Sequence, residues 1–226
     1  MAGIYIHIPF CKQACYYCNF HFSTSLKKKD LVLDCIHKEI ELRKGELNTA
    51  TVETIYFGGG TPSLLTIDEI QKIIATIDSN FELAKDPEIT LEANPDDLSD
   101  QKIIELSQSP VNRLSIGIQS FFEHDLKLMN RAHNAMEAKQ CLQTATDYFD
   151  NISVDLIYGI PDCSHEQWRE NIKTALSFGV PHISSYALTV EPQTALDAFI
   201  KKEVIKNVDD DIAEEQFQIL VKELEQ

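Results

Sequence analysis

Short apolar runs alternate with longer segments whose apolar residues recur at helical spacing, and the alternation repeats along most of the chain. The short runs predict strands over residues 4–8, 53–57, 88–92, 113–118, 152–157 and 182–188. The periodic segments predict the helices between them. Residues 31–44 carry Leu33, Ile36 and Ile40 on one face, with Gly45 as the stop. Thr66 with Glu69, Asn134 with Glu137 and Ser164 with Gln167 have the spacing of capping boxes, and Ser99 stands where another helix should begin. Repeated strand–helix units build parallel sheets. Six of them are too few for a closed eight-fold barrel, so the expected fold is α/β, an open six-stranded (β/α)6 barrel of the TIM type.

After Val190 the rhythm changes. Residues 201–207 are polar, and residues 209–226 form an amphipathic pattern with Ile212, Phe217, Ile219, Leu220 and Leu224 as its apolar members. The chain stops inside this pattern without a C-cap, which predicts a truncated chain: a core barrel over 1–190 and the start of a C-terminal region over 191–226.

A length of 226 residues and a hydrophobic content of 43% suit one large core. The formal charge of −16 sets up a field that repels nucleic acid and anionic membranes. No stretch has the charged and apolar regions of a secretory signal, and no apolar run is long enough to cross a bilayer, so a cytoplasmic protein is expected. In that compartment six cysteines argue for metal or catalytic chemistry rather than disulfides. Cys35 and Cys141 fall in helical patterns and are expected as small buried residues.

Cys11, Cys15 and Cys18 are different. They follow the first strand at once, in C-x3-C-x2-C spacing, flanked by Phe10, Tyr16, Tyr17, Phe20 and Phe22. Soft thiolates suit iron–sulfur clusters or zinc, and a short loop can bring three to one centre. Three protein ligands leave a position open for a small molecule. A structural zinc site with His21 as the fourth ligand, in a zinc-stabilised binding module, is the alternative.

The other unusual polar residues share this end of the predicted sheet. Gly58, Gly59 and Gly60 follow the second strand, Glu92 ends the third, Gln119 the fourth, and Asp155 lies near the end of the fifth. Barrels of this kind build their sites at the C-terminal ends of the strands. The glycine run is not a dinucleotide fingerprint: the third small residue is Ser63, and Asp78 ends a helix rather than the next strand. It offers backbone N–H groups that a ligand can approach closely. The seven histidines are dispersed, and His7, His133 and His182 are read as structural.

The segments YIHIPFCKQACYYCNF, YFGGGTPSLL, LEANPDDL, RLSIGIQSF, VDLIYGIPDCS and ISSYALTVEPQT together resemble the oxygen-independent coproporphyrinogen III oxidase family of radical S-adenosylmethionine (SAM) proteins, through nearly the whole chain. The resemblance implies a [4Fe-4S] cluster on Cys11, Cys15 and Cys18, with SAM contacted by Tyr5, Tyr17, Gly59 and Glu92. It also implies a second SAM site lined by Gly60, Thr61, Gln119, Arg131 and Asp155, and a one-electron donor such as flavodoxin or ferredoxin.

The family has two branches. In the oxidase branch, which decarboxylates porphyrinogen propionates, a fourth cysteine follows the third by two residues and a long segment precedes the first strand. Here that position is Phe20, and Met1 stands close before Ile4. Both features resemble the heme chaperone branch, whose members are expected to bind heme and pass it to recipient proteins. That branch carries an HNxxYW motif in its C-terminal region. His133 and Asn134 begin it but continue as Ala135, Met136, Glu137 and Ala138, so the resemblance puts the heme ligand outside these residues.

Overall fold

The computed structural model describes residues 2–48 and 50–225. Its six strands are β1 (Ala2–Ile8), β2 (Val52–Gly59), β3 (Leu83–Ala93), β4 (Arg113–Gln119), β5 (Ile152–Tyr158) and β6 (His182–Ala187). They form one parallel sheet in chain order, with β1 and β6 at its edges. The helices are α1 (Lys29–Leu42), α2 (Ile67–Asn80), α3 (Asp100–Ser107), α4 (Glu123–Leu128), α5 (Ala135–Tyr148), α6 (His165–Ser177), α7 (Ala195–Lys201) and α8 (Asp210–Leu224). All three expected capping boxes form, and the Ser99 side chain caps α3 by accepting from Lys102 N–H.

Alternation along the strands decides which way each residue points. Ile55 and Phe57, Ile89 and Leu91, Leu114, Ile116 and Ile118, and Val154 and Leu156 are buried in the hydrophobic core. The intervening residues are mostly polar and share the other face: the register pairs Tyr5 with Tyr56, Tyr56 with Thr90, Glu92 with Ser115, Gly117 with Asp155, and Asp155 with Ser184. One face of the sheet is thus a polar wall.

Several expectations shift at their ends. β3 begins at Leu83 rather than 88, and α1 ends at Leu42, where Arg43 N–H bonds Glu39 O before Gly45 is reached. Cys35 is exposed rather than buried, because the inward stripe of α1 runs through Leu33, Ile36 and Ile40, and Cys35 lies off it. Cys141 is buried as expected.

The last helix departs most from its apolar pattern. Asp209 caps it by accepting from Asp211 and Ile212 N–H, and Gln226 of the expected range lies outside the described residues. Ile212, Phe217 and Leu224 are exposed, while Gln216 and Leu220 are buried. Gln216 is the pin: its amide accepts from Gly159 N–H at 2.7 Å and donates to Cys163 O at 3.0 Å. Its carbonyl accepts from Trp168 Nε1–H at 2.8 Å, so α8 is bonded to α6 and to the end of β5 through one glutamine. Of the described helices, none is long and apolar enough to cross a membrane.

Candidate functional site

The loop after β1 is laced to its surroundings by backbone bonds. Cys11 N–H donates to Ser23 O at 3.1 Å, Ser23 N–H to Pro9 O at 2.9 Å, and Tyr16 N–H to Met129 O at 3.1 Å. Gln13 and Asn130 exchange side-chain bonds across to Asn130 O and Ala14 O, each at 2.8 Å. Cys11, Cys15 and Cys18 are all half-buried on this loop. Burial pushes the Cys11 thiol up; a hydrogen bond from Thr61 opposes it, and the charges of Cys18 and Cys15 push the same way as burial. Cys18 is raised by burial first and by Cys15 after it. The three thiols therefore share one electrostatic environment. No group of three His, Cys, Asp or Glu among the described residues could hold a metal ion as it stands. His21, the zinc alternative's fourth ligand, is exposed, and its carbonyl faces His7 Nε2 at 3.4 Å.

The glycine run docks against this loop. Gly60 N–H donates to Ile8 O at 2.8 Å and Thr61 N–H to Phe10 O at 2.7 Å. A Cβ on Gly60 would sit 2.6 Å from Phe10 O, so any side chain would force the two loops apart. Gly59 adopts φ 109°, which favours glycine, and its N–H points at Glu92 Oε2, 3.2 Å away. Tyr56 O–H donates to Glu92 Oε1 at 2.8 Å and stacks on Tyr5, ring centroids 5.8 Å apart. Burial raises the Glu92 carboxyl, while the bonds from Tyr56 and Gly59 hold it down in part.

Arg131 is the hub of a second cluster. Nη1 donates to Cys15 Sγ and Tyr17 Oη, each at 3.4 Å, and Nη2 to Asn94 Oδ1 at 2.6 Å and Gly117 O at 2.8 Å. Its Nε is buried without a hydrogen-bond partner among the described residues. Asn94 in turn donates to Thr61 Oγ1 at 3.2 Å, tying the glycine run to the arginine. Gln119 is buried with φ 68°, and a Cβ on Gly117 would lie 2.9 Å from its Nε2 and 3.2 Å from Arg131 Nη2. Gly117 thus leaves room for both groups.

Asp155 stands between the clusters. Burial, then the charge of Glu92, pushes its carboxyl up to about 6. A folded value above the unfolded one of about 3.9 means that the folded chain holds this proton more tightly. The contribution to stability is full below the unfolded value and is lost as pH rises through about 6. Asp155→Asn is accordingly expected to match the parent near pH 4 and to exceed it by about 2 kcal/mol at pH 8. Denaturant titrations at both pH values check this, and a variant weaker than the parent at pH 8 would contradict it.

The predicted residues therefore converge, with two absentees from the sequence reading. Asn94 joins Thr61 to Arg131, and Tyr56 orients Glu92. Tyr56 lies two residues before Gly58 on the same face of β2, and Asn94 two residues after Glu92, just beyond the end of β3; that spacing was the available signal. His133, which with Asn134 opens a partial heme motif, is buried and donates from Nε2 to Ile118 O at 3.0 Å. Burial first, and the charge of Arg131 second, push it down to about 4. Asn134 caps α5.

A parallel α/β sheet whose C-terminal edge gathers three thiols, a half-buried carboxylate held by a backbone N–H, and an arginine with a spare buried donor is the framework of a cofactor-dependent protein. The profile of the radical SAM superfamily matches residues 5–175, and the chain belongs to that superfamily. It is 38% identical over 200 residues to the Escherichia coli protein named Heme chaperone HemW, a match covering 85% of this chain and 52% of that one. A Bacillus subtilis protein of the same name is 32% identical over all of this chain and 60% of its own. Among solved structures, the coproporphyrinogen III oxidase HemN of Escherichia coli superposes with a TM-score of 0.84 at 27% identity, over 97% of this chain and 52% of that chain. The chain spans about half the length of the relatives that it matches. The open six-stranded TIM-type fold read from the sequence is the fold of this structure.

Membership implies SAM and a [4Fe-4S] cluster as cofactors. The residues present fit them: three soft thiols on one loop, and a buried Arg131 Nε–H with no acceptor among the described residues.

Proposed function

We propose that this chain is the radical SAM core of a heme chaperone. The observation that carries the reading is Phe20, an exposed aromatic where the oxidase branch has a fourth cysteine. The identity of 32–38% to proteins named as heme chaperones supports it.

In this reading Cys11, Cys15 and Cys18 hold the cluster. Tyr5, Tyr17, Gly59 and Glu92 contact the SAM beside it, and Gly60, Thr61, Gln119, Arg131 and Asp155 line an adjacent SAM site. When bound, the cluster supplies a one-electron reductant for SAM. The chain's own contribution is placement. Tyr56 and Gly59 hold the Glu92 carboxylate in one orientation on the polar wall, where it can accept from an ammonium group. Arg131, fixed by Asn94 and Gly117, keeps a cation beside the Cys15 thiol. Residues 1–190 form the core and 191–226 open a C-terminal region of the full-length protein, which takes up heme and passes it to recipient proteins in the cytoplasm. A flavodoxin or ferredoxin supplies the electron.

The test uses full-length protein reconstituted anaerobically with iron, sulfide, SAM and a reductant, following the conversion of coproporphyrinogen III to protoporphyrinogen IX. The expected result is no product from cluster-loaded protein that binds heme. Product over many turnovers would assign the chain to the oxidase branch.

A further inference from the structure

Charge is distributed very unevenly along this chain. Residues 1–29 contain four lysines and no acidic residue, so all 36 aspartates and glutamates follow them. The acid-free segment is the one that carries the cysteine loop. Two of its lysines are neutralised: Lys12 pairs with Asp96 at 2.9 Å, and Lys29 with Glu69 at 2.6 Å. Lys27 and Lys28 are exposed and have no ion-pair partner among the described residues. Two apolar side chains stand out on the same stretch, Phe20 at 69% exposure and Leu26 at 48%. Ser23, between them, is bonded to both Pro9 and Cys11, so the stretch is clamped to the first cysteine.

We propose that residues 20–28 are the docking surface for an acidic one-electron carrier protein. The inference rests on the iron–sulfur reading of the cysteines and adds where the electron enters. On a chain of net charge −16, an acidic carrier is repelled over most of the surface. Other exposed lysines without an ion pair among the described residues, such as Lys38 and Lys173, lie on helices that also carry acidic residues, whereas Lys27 and Lys28 lie on the acid-free segment. Lys27 and Lys28 supply attraction at the rim, and Phe20 and Leu26 supply apolar area to bury, the division of labour usual in protein interfaces. Asp30 follows in the first turn of α1, and Glu191 Oε2 is engaged by Asn19 Nδ2 at 3.0 Å. In the transfer the carrier loses one electron and the iron–sulfur centre gains it; no bond forms or breaks.

The probe is a flavodoxin, tested with the full-length protein in two ways. Calorimetry follows its oxidised form binding to the chain with or without iron, and anaerobic stopped-flow follows its reduced form delivering an electron to reconstituted protein, with dithionite as the small-molecule comparison. Lys27→Glu with Lys28→Glu is expected to weaken binding and slow reduction by flavodoxin at least about tenfold at low salt, an effect that salt abolishes. Dithionite reduction and iron content should be unchanged. Phe20→Ser should weaken binding at every salt concentration, and Lys173→Glu on α6 should do nothing. Equal rates for parent and double variant, or an equal loss in Lys173→Glu, would overturn the docking surface, as would a flavodoxin that neither binds nor reduces a centre that dithionite reduces. A reconstituted protein without iron would instead overturn the reading of the cysteines.

Discussion

Arg131→Ala is expected to lower the stability of the chain by about 3 kcal/mol, because it leaves buried acceptors without their donor. Asn94 Oδ1 and Gly117 O lose bonds of 2.6 and 2.8 Å, and Cys15 and Tyr17 lose their cation. Thermal unfolding should shift down by about 8 °C for a domain of this size. Arg131→Lys keeps the charge but cannot reach these acceptors as a planar fork, so it should recover less than half of the loss. SAM binding to cluster-loaded protein should weaken at least about tenfold in both variants. An Arg131→Ala protein that melts with the parent would show that the four contacts carry no net energy.

Cys15→Ala should remove essentially all cluster iron and acid-labile sulfide after anaerobic reconstitution, whereas Cys141→Ala should leave both intact. Cys15 sits half-buried beside the Arg131 guanidinium, in a loop that a ligand can reach. Cys141 is buried in α5, and burial pushes its thiol up to about 12, so it stays protonated and cannot ligate. Iron and sulfide analysis with the visible absorption of the centre reads the result. Equal loss in both variants would mean that the ligand set is wrong.

Much of the fold was legible because its local signals agree. Three capping boxes set the starts of α2, α5 and α6, and the strands between them follow from apolar alternation. The site was legible where a residue type contradicts its surroundings: a carboxylate ending an apolar strand, three cysteines in one loop, three glycines in a row. It was not legible at Asn94 and Tyr56, which are ordinary neighbours of those residues and gain a role only through partners far along the chain. The same limit explains α8, whose exposed Phe217 and buried Gln216 invert the apolar pattern. A glutamine with an acceptor and a donor amide can satisfy the open Gly159 N–H and Cys163 O at the end of the barrel, and phenylalanine cannot.

The sequence by itself determined the order and kind of the elements, the thiolate loop and the superfamily to which the chain belongs, because capping, alternation and ligand spacing act over a few residues. Tertiary structure alone decided which distant groups meet. Glu92 receives the Gly59 N–H, Arg131 reaches across from beyond β4 to Cys15, and burial first, then the charge of Glu92, pushes the Asp155 carboxyl up to about 6. The physical reason is that hydrogen bonds and charge interactions inside a folded wall depend on strand register and burial, and both are set by the packing of the whole sheet rather than by any one segment.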